Sequence, residues 1–225
     1  MSTQIDAKPK PRPRGPAKRL AKGVKWNNAV GGADEQYQLK KQAVIAEASR
    51  TFGRHGYKNV SLDEIAAALN VTKPALYYYF KNKEDVFCSV VALEAENFLG
   101  ELQNILNEKG DESLLVKKYI NHRIRVMYGV AARYNLLKSE LFTLLPLIEI
   151  ARQPFHQKEV DQLAHLLNRG VESGVFRLCD CELNAKVIVN SLKGLEIPMF
   201  VKQEFNVDTK EIEAITSLVL NGIKI

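Results

Sequence analysis

The sequence predicts an all-α protein, with a small N-terminal helix-turn-helix head joined to a larger C-terminal helical bundle. Three observations predict it. Ser61–Asp85 fits two short helical patterns and a tight turn into the length of a helix-turn-helix. From Glu112 onward apolar residues recur at three- and four-residue spacing. No convincing strand pattern interrupts them. A chain of 225 residues holds one small and one medium domain, and 46% hydrophobic with 26% charged residues is ordinary globular composition. The expected divisions are a disordered basic arm over 1–36, the head over 37–82 and the bundle over 83–225.

The arm carries prolines at 9, 11, 13 and 16, glycines at 15, 23, 31 and 32, and no helical period. Eight Lys/Arg against Asp6 give the first 25 residues a charge of +7, more than the +6 of the whole chain. The remainder is close to −1, so the basicity belongs to the arm. Within it, Arg12-Pro13-Arg14-Gly15-Pro16 partly resembles an AT-hook but lacks that motif's second core arginine. Its charge alone predicts a contribution to DNA affinity by counterion release.

The first helix is expected from Tyr37 to His55, ended by Gly56. Ser61 and Glu64 have capping-box spacing and start the next helix, whose apolar stripe is Ile65, Ala66 and Leu69. Asn70 tolerates the left-handed backbone of a tight turn, and Val71 fills the angle behind it. Thr72 is expected to cap the following helix, with Pro74 in its first turn, where a missing N–H is harmless. Leu76 and Phe80 point inward as an i, i+4 pair. Tyr77, Tyr78 and Tyr79 occupy one turn and cannot all be buried, so one or two phenols face outward beside Lys73. Surface phenols and lysines suit phosphate and base-edge contacts. Asn82 then caps a long helix reaching Asn107. Lys83 lies in its first turn, where the macrodipole disfavours a cation unless a phosphate docks there.

Val44, Ile45, Ala48, Phe52, Gly56, Tyr57, Leu62, Ile65 and Ala66, followed by VTKPALYYYFKNKED, resemble the DNA-binding domain of the TetR family of bacterial transcriptional regulators. The resemblance spans about fifty residues without a gap; beyond it only GVESGVF at Gly170–Phe176 is similar. It implies a homodimer that reads a near-palindromic operator in double-stranded DNA, with residues 83–225 binding an effector and dimerising. The implied DNA-binding positions are Ser61, Thr72, Lys73, Pro74, Ala75, Tyr77, Tyr78, Tyr79 and Lys83. Lys73 and Tyr78 are assigned to bases, and Tyr77 and Lys83 to phosphates.

In the bundle, helices are expected over about Glu112–Tyr134, Leu136–Leu145 (with Pro146 as a break or kink), Phe155–Ser173, Cys181–Lys202 capped by Asp180 and kinked near Pro198, and Thr209–Asn221. Tyr119, Arg123, Val126, Met127 and Val130 are the candidate wall of a pocket for a hydrophobic or amphipathic effector. Leu192, Leu195, Met199, Ile212, Ile215 and Val219 recur at helical spacing and are the candidate dimer face. The function expected is therefore a DNA-binding repressor released by a small molecule. The alternative is a DNA-binding adaptor whose bundle binds a protein partner; a solidly packed core and an outward apolar patch away from the dimer face would favour it.

Enzymatic readings fail on motif. The chain has no G-x-S-x-G, H-E-x-x-H or phosphate-binding G-x-x-x-x-G-K-[ST]. His55, His122, His156 and His165 lack paired metal-ligand spacing, so no cofactor or metal is expected. Three cysteines point to a reducing cytoplasm, and Cys179 with Cys181 reads as a pair of inert thiols. No signal peptide or membrane span is expected; Leu141–Ile150 is broken by Pro146 and Glu149.

Overall fold

The computed structural model describes residues 32–134, 138–177, 180–196 and 209–224. Among them are eight helices and no strand: α1 Ala33–His55, α2 Leu62–Ala68, α3 Lys73–Tyr77, α4 Lys83–Leu106, α5 Glu112–Tyr134, α6 Lys138–Glu172, α7 Cys181–Gly194 and α8 Thr209–Ile223. Residues 1–31 of the basic arm, the C-x-C residue Cys179, Pro198 and the dimer candidate Met199 lie outside the described residues.

Each head helix starts and stops for a local reason. α1 begins at Ala33 rather than Tyr37, because Gly32 is extended at its N-cap and Asp34 and Glu35 place negative charge in its first turn. It ends at Gly56, whose φ of 77° turns the chain while its N–H still bonds to the Phe52 carbonyl. The capping box forms as expected: the Ser61 N–H donates to Glu64 at 2.7 Å, and the Ser61 hydroxyl accepts from the Glu64 N–H. Asn70 takes φ 55° in the interhelical turn. Thr72 is a correction. Its backbone is extended, but its side chain makes no capping bond; its carbonyl accepts the Ala75 N–H instead.

The head core joins Val44, Ala48 and Phe52 of α1 to Ile65, Leu76 and Phe80, all nearly inaccessible. It does not stop at the head. Val86, Phe87 and Val90 of α4, Tyr134 of α5 and Leu144 of α6 belong to the same cluster. A second cluster fills the bundle, with Phe98 and Leu102 of α4, Tyr119 and Ile120 of α5, Leu163 and Leu167 of α6, Val189 of α7 and Ile212 of α8. α4 is therefore shared: its first half packs with the head and its second half with the bundle.

Of the break or kink expected at Pro146, α6 rules out the break, and it joins the two helices expected on either side. It is one helix of 35 residues that carries Pro146 and Pro154 inside it. An internal proline removes one hydrogen bond and leaves the carbonyl four residues earlier without its donor. Here those carbonyls belong to Phe142 and Ile150, both solvent-exposed, so water can satisfy them while the opposite face stays packed. At the far end of α6, the GVESGVF phrase closes the helix. Val175 and Phe176 donate backbone N–H groups to the Gly170 carbonyl. The buried Phe176 ring lies where a Cβ on Gly170 would be, 2.1 Å from its nearest carbon.

Candidate nucleic-acid interface and bundle cavity

The turn and α3 present a polar, aromatic surface because Leu76 and Phe80 take the inward positions. Tyr77 and Tyr78 are 50% and 72% exposed, the outward phenols expected from three consecutive tyrosines. Tyr79 is half-buried against Tyr37 of α1, with ring centroids 5.0 Å apart, and Tyr37 also meets Tyr78 edge-on at 5.7 Å. Ser61, Thr72, Lys73 and Pro74 are exposed on the same segment; Ala75 is half-buried. Lys73 donates to Asp63 of α2 at 2.7 Å, which raises its pKa. Both side chains are solvated, so the pair holds Lys73 weakly.

Lys83, the first residue of α4, places its ammonium 4.2 Å from the centre of the Tyr57 ring and donates to the Lys58 carbonyl at 3.4 Å. The Tyr57 hydroxyl is pushed up to about 12 by burial and by Glu84. It stays neutral through the physiological range. Asn82 caps α4 by accepting the Asp85 N–H at 2.8 Å.

The second feature lies where the two cores meet. A cavity of about 440 Å³ runs along α4 from Phe87 and Val90, in the head cluster, to Phe98 and Leu99, in the bundle cluster; α5, α6 and α7 complete its wall. Its volume suits a small organic ligand. α5 contributes Arg123, Met127, Val130 and Tyr134, one stripe at helical spacing. Tyr119 and Val126, also expected at the wall, are corrected. Tyr119 is fully buried in the bundle core, and Val126, one position off the stripe, packs against that core.

One end of the cavity carries a buried ionic network that sequence reasoning touched only at Arg123. Its Nε donates to Glu159 at 2.7 Å and its Nη1 to Glu196 at 2.8 Å. Arg152 donates to both Glu196 oxygens, and the Tyr119 hydroxyl donates to Glu159 at 2.9 Å. Burial alone would lower the Arg123 pKa, but Glu159 and Glu196 outweigh it and the group stays charged. Burial alone would raise the Glu196 carboxyl, yet Arg152 and Arg123 hold it below its ordinary value. At the other end, the Tyr134 hydroxyl donates to Glu94 of α4 at 2.7 Å and lies 2.9 Å from the Ser49 hydroxyl of α1. Burial and then Glu94 raise its pKa far above neutrality. Nearby, Gly53 of α1 lets the Arg133 carbonyl approach to 3.2 Å of where a Cβ would stand.

Within a single chain, two residues of the expected dimer face are buried and three are half-buried. Leu192 and Ile212 are each 2% exposed within a single chain, and Leu195, Ile215 and Val219 pack against the bundle core. Their helical periodicity is the inward one. The outward faces of α7 and α8 carry Leu183 and Val187, an i, i+4 pair, and Leu218 at 76% exposure. Among the described residues no group of three metal-ligating side chains comes together, and no helix is long and apolar enough to cross a membrane.

A capped helix, a left-handed turn and a short aromatic helix on a three-helix head, above an all-α bundle, define a helix-turn-helix DNA-binding transcription regulator. Residues 44–90 match the bacterial regulatory proteins, tetR family, and the chain carries that family's DNA-binding head. It is 24% identical over 191 residues to the HTH-type transcriptional regulator YhgD of Bacillus subtilis, covering 82% of this chain and 96% of that one. It is 25% identical over 181 residues to the HTH-type transcriptional regulator AcrR of Shigella flexneri, covering 76% and 84%. A transcriptional regulator from Cytophaga hutchinsonii superposes with a TM-score of 0.69 at 27% identity, over 83% of this chain and 99% of that one. These proteins are DNA-binding regulators of transcription, not enzymes.

Proposed function

We propose that this chain is a cytoplasmic, homodimeric repressor that leaves its operator when a hydrophobic or amphipathic small molecule fills the cavity. One observation carries the reading: Tyr134 lines the cavity and bonds at the same time to Ser49 of the head's first helix. A ligand against Tyr134, or against Phe87 and Val90 on shared α4, bears directly on the body that holds α3. Such a ligand acts only through unequal affinity for the DNA-competent and DNA-incompetent states. A solidly packed bundle would have favoured the protein-adaptor reading; an internal cavity whose exposed surface is mostly carbon favours a ligand.

In this proposal Lys73 and Tyr78 meet base edges and Tyr77 and Lys83 meet phosphates, with Ser61, Thr72, Pro74, Ala75 and Tyr79 beside them. Lys73 exchanges its exposed Asp63 partner for DNA at little cost, and Lys83 leaves the Tyr57 ring for an anion at the start of α4. Two chains pair through the outward faces of α7 and α8, with Leu183, Val187 and Leu218 covered. Recognition helices then sit one DNA turn apart, about 34–36 Å.

The test is Tyr134→Phe, which keeps the ring and deletes the hydroxyl bonded to Ser49 and Glu94. Operator affinity is measured with and without a compound found by thermal-shift screening. Coupling is expected to fall at least fivefold, the low end of allosteric coupling, while the variant still binds the compound. Unchanged coupling would remove Tyr134 from the path between cavity and head.

A further inference from the structure

The cavity wall is largely carbon, and its charges are matched before any ligand arrives. Arg123 and Arg152 are taken by Glu159 and Glu196, Lys193 pairs with Glu149, and Glu94 accepts from Arg133 and Tyr134. Four carboxylates thus face four cations, and the set is neutral. Two further polar groups on the wall, the half-buried His156 of α6 and the exposed Asn190 of α7, have no side-chain hydrogen-bond partner among the described residues.

We infer that the cavity takes an uncharged, predominantly apolar molecule with a hydroxyl or carbonyl that meets His156 or Asn190, and discriminates against acids and amines with the same carbon skeleton. This rests on the ligand-binding reading above and names the ligand class within it. A carboxylate set against the buried ionic network would find no spare cation: it would have to draw Arg123 or Arg152 from a glutamate and leave that glutamate buried and unpaired. Lys193, in its part-solvated pair with Glu149, is the one wall cation among the described residues that could turn at small cost. An ammonium ligand faces the mirror-image problem, since drawing Glu159 or Glu196 away strands Arg123. An alcohol, ester or ketone disturbs none of these pairs. An imidazole N–H and a carboxamide NH₂ both donate, and the carboxamide oxygen accepts, so the pair can meet a hydroxyl or a carbonyl.

The test titrates the full-length protein with 1-dodecanol, dodecanoate and dodecylammonium by calorimetry near neutral pH, below the concentrations at which each self-associates. 1-Dodecanol is expected to bind at least about tenfold more tightly than either ion, a difference of roughly 1.4 kcal/mol. His156→Phe with Asn190→Leu, which fills the space without hydrogen bonding, is expected to erase most of the alcohol's advantage. Binding of either ion as tight as the alcohol's overturns the inference, and so does the absence of binding by all three. Repeating the titration on the operator-bound protein separates the two claims. An ion that binds best and releases DNA defeats the ligand class and leaves the regulator reading standing. An alcohol that binds best without releasing DNA does the reverse.

Discussion

Replacing Arg123 with methionine asks whether the ionic network at the end of the cavity is one electrostatic unit. The guanidinium is 1% exposed and supplies charged hydrogen bonds of 2.7 and 2.8 Å to two buried glutamates. Removing one partner from a buried ion pair costs about 3–5 kcal/mol, because the other charge stays behind without water. Two features place this case near the lower end. Glu196 keeps both bonds from Arg152, and Glu159 keeps the Tyr119 hydroxyl. A loss of about 3 kcal/mol is therefore expected, a large part of the 5–15 kcal/mol that usually holds a domain folded. The double variant Arg123→Met/Glu159→Leu restores neutrality, since Arg152 and Glu196 then balance alone. It is expected to recover at least half of the loss. Urea denaturation at neutral pH measures both. A single-variant loss below about 1 kcal/mol, or a double variant no more stable than the single, would refute the unit.

pH adds an independent check on the same group. The Glu196 carboxyl is held below its ordinary value of 4.5 in the folded chain, so its contribution is complete above about pH 4.5 and is lost as pH falls through the depressed pKa. Glu196→Gln is expected to flatten that acid limb of the stability curve.

Three further outcomes follow from the placement of side chains. Lys83→Ala is expected to weaken binding similarly across DNA sequences and to reduce the salt slope by about one unit in a salt titration; an unchanged slope takes Lys83 out of the footprint. A chain beginning at Gly32, which keeps the N-cap of α1, is expected to bind its operator more weakly and with a shallower salt dependence than the full chain. Equal affinity and slope would leave the arm no role in DNA binding. Leu218→Glu, at a 76% exposed position, is expected to leave the single-chain fold intact and shift light scattering from dimer toward monomer at micromolar concentration; no shift would move the dimer contact away from this face of α8.

The head was legible in the sequence because each of its features is local. A capping box spans four residues, the left-handed Asn70 sits in a turn with its own chemistry, and Leu76 and Phe80 define an inward face that leaves Tyr77 and Tyr78 outside. The bundle was less legible because periodicity reports which residues share a face without saying what that face meets. Leu192 and Ile212 have the spacing of an interface and are core. Leu183, Val187 and Leu218 carry the opposite face. The charged residues Glu159 and Glu196 interrupt apolar stripes on α6 and just after α7, beside Leu163 and Leu192. Those interruptions were the signal that a buried partner existed; which arginine answered each glutamate is a tertiary fact. Pro146 misled in a similar way, since its cost depends on whether the freed carbonyl reaches water.

The most direct measurement of the account is selection of duplex DNA by the purified full-length protein from a random-sequence pool, run in parallel with the variant Lys73→Ala/Tyr78→Ala. Enrichment of a near-palindromic site with half-site centres about 10–10.5 base pairs apart, or a multiple of that spacing, is expected, together with loss of that sequence preference in the variant. Failure of the full-length protein to enrich any sequence, or an unchanged site enriched by the variant, would contradict it.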